Sequence, residues 1–135
     1  MKHFTVEEAL ELLPDVISHV ERMVGARAQL LEREAAMPVV AEGIHTNGSG
    51  PTDYVEELKD RKLAKLHETL IDELNALEKM GIQVKDVNTG LVDFPAIHPV
   101  TGDTVFLCWQ LGEATIAFWH ERDTGFPGRK PLPFT

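Results

Sequence analysis

Residues 108–120, CWQLGEATIAFWH, decide how the second half of this chain folds. The stretch holds the only cysteine and both tryptophans, with a glutamate and a histidine among them. On either side of LGEA (residues 111–114) stand two short segments, TVFLCWQ and TIAFWH, which suit two short strands joined by a turn. Carried outward, the same reading gives four strands: 82–87 (IQVKDV), 91–97 (LVDFPAI), 104–110 (TVFLCWQ) and 115–120 (TIAFWH). Their connections, NTG, HPVTGD and LGEA, are built from turn residues, and Gly90 stands where a three-residue hairpin loop needs a left-handed backbone. The expected sheet is a four-stranded antiparallel β-meander.

Turn length sets register, and register sets which side chains share a face. Closing the three turns places Lys85 opposite Asp93, Asp93 opposite Cys108, Cys108 opposite Ala117 and Phe106 opposite Trp119. One face then carries Val92, Phe94, Ala96, Val105, Leu107, Trp109, Ile116, Phe118 and His120. It is apolar and must pack on something apolar. The other carries Lys85, Asp93, Pro95, Phe106, Cys108, Gln110 and Trp119. Two large aromatics on that mixed face call for a cover: the C-terminal tail, a second subunit or a ligand.

The first half of the chain is different. Thr5 followed by Glu8 is a capping box. Leu13, Ile17, Val20, Val24 and Leu31 recur behind it at helical spacing. Pro14 predicts a kink or a restart. Residues 43–52 (GIHTNGSGPT) read as a loop. A second helix starts near Asp53, with Glu56 in capping-box spacing. It carries Val55, Leu58, Leu63, Leu66, Leu70, Leu74 and Leu77, and ends at Gly81. His19 lies four residues after Asp15, which reads as a surface ion pair. Two helices of this length carry more aliphatic stripe than a small sheet covers, so a homodimer through the helices is expected.

Composition bounds the function. The 135 residues suit a single domain: a helical hairpin at about 5–80, a meander at about 82–120 and an irregular tail at 121–135. A formal charge of −9 argues against nucleic acid as partner. No stretch has the length and apolarity of a membrane span, and the opening MKHFTVEEAL lacks a signal-peptide core. One cysteine admits no intrachain disulfide, so a cytoplasmic location is expected.

Candidate chemistry gathers around the opening stretch. Asp93, Cys108 and His120 are acceptable ligand types for a divalent transition metal. Alternation opposes that set, because His120 falls on the face opposite Asp93 and Cys108. Only a bulge, near Pro95 or after Trp119, would bring them together. Cys108 as a nucleophile would need a cation or base to lower its pKa. Lys85 is close, but Asp93 is expected to pair with it. Glu113 in the turn is a candidate base, Arg122 and Arg129 are candidate anion clamps, and Trp119 is a candidate ligand platform. No phosphate loop, dinucleotide fingerprint, Cys-x-x-Cys or H-E-x-x-H motif occurs.

Three segments, FTVEEALELLP (4–14), GIQVKDVNTGLVDFPA (81–96) and LCWQLGEATIAFWHERDTGFPGR (107–129), together resemble the bacterial family filed as domain of unknown function 2203. The resemblance implies a small bacterial protein and carries no assigned activity or catalytic residue.

The sequence thus predicts an α+β fold, a long antiparallel helical hairpin packed on one face of a four-stranded meander. Its leading function is a non-enzymatic interaction module, dimeric through its helices. The alternative is a metal- or small-ligand-binding protein, or an enzyme, with its site on the sheet around Asp93, Cys108, Glu113 and His120. A hydrolase or transferase using Glu113 or His120 with Arg129 is the third reading.

Overall fold

Thr5 and Glu8 open the first helix by exchanging bonds. The Thr5 N–H donates to Glu8 Oε1 (3.2 Å) and the Glu8 N–H to Thr5 Oγ1 (3.0 Å), the expected capping box. In the computed structural model, which describes residues 1–36 and 51–134, helix α1 then runs Val6–Ala36. It continues through Pro14 with no restart. Proline removes one donor, but Ala9, Leu13, Val16 and Val20 are buried on either side of it. Tertiary burial of that stripe outweighs one lost bond.

Helix α2 runs Pro51–Lys79. The expected cap at Asp53 and Glu56 concerns side chains outside the described residues, as does the expected loop up to residue 50. Its end is as read. Gly81 takes φ +90°, its N–H donates to the Glu78 carbonyl (2.9 Å), and the Ile82 N–H reaches the Leu77 carbonyl (3.1 Å). His19 and Arg22 of α1 both hold Glu73 of α2. Lys2 and Phe4, before α1, meet Gly81, beyond the end of α2. The two helices are therefore antiparallel.

The buried stripe of α1 is Ala9, Leu13, Val16, Val20, Met23, Ala26 and Leu30. It is rotated from the stripe expected: Ala9, Met23 and Ala26 are buried, while Ile17 and Val24 are only half-buried. Leu31 is exposed. Helix α2 commits less. Leu77 is its only fully buried hydrophobic side chain among the described residues, while Leu58 and Ile71 are exposed.

The sheet has five antiparallel strands rather than four, in sequential order: β1 Gln83–Asp86, β2 Leu91–Ile97, β3 Thr104–Gln110, β4 Phe118–His120 and β5 Lys130–Pro131. The fifth comes from the tail read as irregular. Aligned residues of β2 and β3 pair as expected, Asp93 with Cys108 and Ile97 with Thr104. The flanking registers differ. Between β1 and β2 the pairing shifts at Lys85, so Gln83 rather than Lys85 stands opposite Asp93. Between β3 and β4, Cys108 meets Phe118 and Phe106 meets His120. That is a slip of one residue, and it exchanges the faces of Phe118, Trp119 and His120.

The inner face now carries Val92, Phe94, Ala96, Val105, Leu107, Trp109 and Trp119, in one hydrophobic cluster with Ala9, Leu13, Val16, Val20 and Met23 of α1 and with Leu77. The outer face carries Asp93, Pro95, Phe106, Cys108 and His120, all buried. The tail supplies the cover. Arg129 lies over the rings of Phe118 (4.1 Å) and Phe126 (4.7 Å), the latter in a 3₁₀ turn at Phe126–Gly128.

Candidate metal centre

The slip at β4 brings together what alternation had separated. One ligand atom each from Asp93, Cys108 and His120 lies within 4.8 Å of the other two, and all three residues are buried. The sequence-based expectation that His120 faces away from Asp93 and Cys108 is therefore overturned. The cause is the connection between β3 and β4. It is not the four-residue connection LGEA but a seven-residue loop from Leu111 to Ala117. Glu113 organises it: its Oε1 accepts from the Gln110 N–H (2.7 Å), and its carbonyl accepts from Trp109 Nε1 (3.1 Å). Ile116 drops from this loop into the core.

The geometry around the triad is specific. His120 Nδ1 lies 2.7 Å from the Glu121 carbonyl, which can only accept, so Nδ1 carries the proton. The other ring nitrogen, Nε2, lies 3.0 Å from Asp93 Oδ2. Asp93 Oδ1 is buried and has no hydrogen-bond partner among the described residues. A backbone carbonyl holding one nitrogen so that the other faces a cation is the usual arrangement behind metal-binding histidine.

Electrostatics point the same way. Burial, then the neighbouring Asp93 charge, push the Cys108 thiol up to about 12; Arg129 pulls the other way, and a hydrogen bond to the Asp93 carboxylate adds to the rise. Without a cation beside it Cys108 is a thiol, which removes it as a free nucleophile. Burial disfavours the cationic form of His120, yet its bonds to Asp93 and to the Glu121 carbonyl outweigh burial and raise its pKa. Both groups hold protons more firmly than usual, Cys108 chiefly through burial and His120 through its bonds.

The remaining candidates disperse. Arg129 and Glu113 bind each other: Arg129 Nη2 reaches both carboxylate oxygens, at 2.7 and 2.8 Å. The same guanidinium donates to the Cys108 carbonyl (3.3 Å). This pair is a clamp across the sheet, so neither side chain presents an open base or anion site. Trp119 lies on the inner side, against His98 (5.1 Å) and Phe134 (5.3 Å). It is not the partner of Phe106 that the expected register made it. Phe106 stacks near His120 instead (5.5 Å). The expected Lys85–Asp93 ion pair does not form. Lys85 sits in the bulge with Nζ 5.6 Å from the Phe106 ring. His19 pairs with Glu73 rather than Asp15. Sequence reasoning gave no role to His98, whose Nδ1 accepts from the Val100 and Thr101 N–H groups and orders the β2–β3 turn. Its position just before Pro99 in a turn segment was the available signal.

A cavity of about 210 Å³ adjoins the triad, walled by Asp93, Cys108 and His120 and bordered by buried Phe106 and exposed Arg122 and Phe126. A larger cavity of about 630 Å³ lies between His98, Trp119, Arg122 and Lys130. Arg122 borders both. No helix among the described residues is long and apolar enough to cross a membrane.

The chain belongs to the family described as "Uncharacterized conserved protein (DUF2203)", whose family model matches residues 2–132. No curated protein and no solved structure matches it.

Proposed function

Starting from a family without an assigned activity, we propose that this chain is a metal protein whose Asp93, Cys108 and His120 hold one divalent transition ion, zinc by preference. One observation carries the reading. Three ligand-type side chains converge in a buried spot, and one carboxylate oxygen there has no hydrogen-bond partner among the described residues. A buried unpaired polar atom is costly, and a cation would satisfy it. An oxygen, a sulfur and an imidazole nitrogen suit zinc. Three protein donors leave a fourth position free, the arrangement typical of catalytic rather than structural zinc. The adjoining cavity gives that position somewhere to open. Bound zinc would supply Lewis-acid chemistry or an activated water at neutral pH. The chain's own part is to hold the ion, to fix the His120 tautomer through Glu121, and to shield the site beneath Phe126.

Elemental analysis of the full chain, purified without chelator, tests this. The expected result is close to one zinc per chain. Cys108→Ser and His120→Ala should each lose most of it while keeping the far-ultraviolet circular dichroism of the parent. A folded parent that carries no metal, and takes none up on dialysis against zinc, would refute the reading.

A homodimer through the helices is the second reading, supported by exposed Leu58 and Ile71 on α2 and Leu31 on α1. Light scattering at micromolar concentration should give twice the chain mass, and the chain mass alone would count against it. The single cysteine supports a reducing compartment, and the proposed setting is the bacterial cytoplasm.

A further inference from the structure

The wall of the cavity over the triad has an unusual charge for this chain. The molecule carries −9 overall, yet apart from Asp93 itself no acid lines that space. Two cations do, Lys85 and Arg122. Neither is engaged in an ion pair among the described residues. Lys85 is placed there by the bulge in β1, which turns it out of the ladder and over Phe106. Arg122 is placed there by the exit from β4, two residues after His120.

Consider the charges with an ion bound. A divalent cation would be cancelled by the Asp93 carboxylate and the Cys108 thiolate, since coordination deprotonates the thiol. His120 would be neutral. What then remains facing the cavity is the positive charge of Lys85 and Arg122. The space beside the triad is small, about 210 Å³. Phe106 and Phe126 provide apolar wall on two sides.

We propose that this cavity binds a small oxyanion, a carboxylate or phosphate, with Lys85 and Arg122 as its recognition residues beside the metal. The inference rests on the metal reading and deepens it by naming the class of ligand. Arg122 provides the planar fork that matches a carboxylate or phosphate edge, and Lys85 provides a point charge. The ligand's oxygen would approach the open position left by the three protein donors.

The test uses the full chain with cobalt(II) in place of zinc, because the visible bands of cobalt report changes in its ligands. Acetate and inorganic phosphate are titrated in separate arms, with acetamide as a neutral match for acetate. Acetate, phosphate or both should shift the bands saturably, and acetamide should not. A response to one anion alone supports the proposal and narrows the class. Arg122→Gln and Lys85→Gln should each weaken anion binding about tenfold while leaving cobalt stoichiometry unchanged. A cobalt-loaded protein that ignores both anions, or answers acetamide equally, overturns the anion pocket and leaves the metal reading standing. So does a parent-like anion affinity in both variants. Failure to load cobalt or zinc at all sinks the metal reading and this one with it.

Discussion

The two hairpins that share β3 were closed by the same rule, and only one came out in the expected register. Between β2 and β3 the turn advertises itself. Gly102 takes φ +74°, the His98 N–H donates to the Asp103 carbonyl, and His98 Nδ1 collects two further turn N–H groups. All of those groups lie within six consecutive residues. Between β3 and β4 the loop is fixed by Glu113, and Glu113 is held by Arg129, sixteen residues further on. A local rule finds the first turn and misses the second, where the bonds of Glu113 to Gln110 and Trp109 are joined by the clamp from Arg129 in the tail. The consequence reaches the site, since a slip of one residue decides whether His120 joins Asp93 and Cys108.

If the clamp sets the second hairpin, breaking it should cost most. Glu113→Ala removes both bonds from Arg129 and the acceptor of the Gln110 N–H, and it leaves the largely buried guanidinium without its anion. Chemical denaturation should register a loss of about 3 kcal/mol. Zinc affinity should fall at least about tenfold as well, because Arg129 also supports the Cys108 backbone. Retained affinity would mean that the strand, not the loop, places His120.

The first hairpin should be more forgiving. Gly102→Ala meets nothing within 4 Å, so only the positive φ is strained. A loss of about 1–2 kcal/mol is expected, with metal uptake unchanged. A loss of metal there would erase the contrast between the two turns.

The smallest effect belongs to the helices, away from both hairpins. Burial tends to raise the Glu73 pKa, but hydrogen bonds from Arg22 and His19 prevail and hold it below the usual carboxylate range. A lowered acid contributes stability above its unfolded pKa and loses it as pH falls through the folded value. Glu73→Gln should therefore cost about 1 kcal/mol at pH 7. Parent and variant should converge as pH drops below about 4.3. A constant difference across that range would assign the effect to packing instead.

Much of the fold was legible. The capping box at Thr5, the stop at Gly81, the helix pair and the β2–β3 pairing all follow from local chemistry. The α1 stripe was less so, since alanines and a methionine carry little periodic signal yet are buried. The bulge at Lys85 and the fifth strand were hidden, as both depend on partners far along the chain. For the site, residue types were readable and convergence was not. Asp93 and Cys108 were placed together because their turn is self-contained. His120 follows a loop whose Glu113 is gripped by Arg129, far along the chain.

X-ray absorption at the zinc edge of the loaded full chain reaches the central point most directly. The account predicts one sulfur at about 2.3 Å and a shell of nitrogen and oxygen at about 2.0–2.2 Å, with an imidazole scattering pattern. A zinc shell without sulfur, or without imidazole, would contradict it.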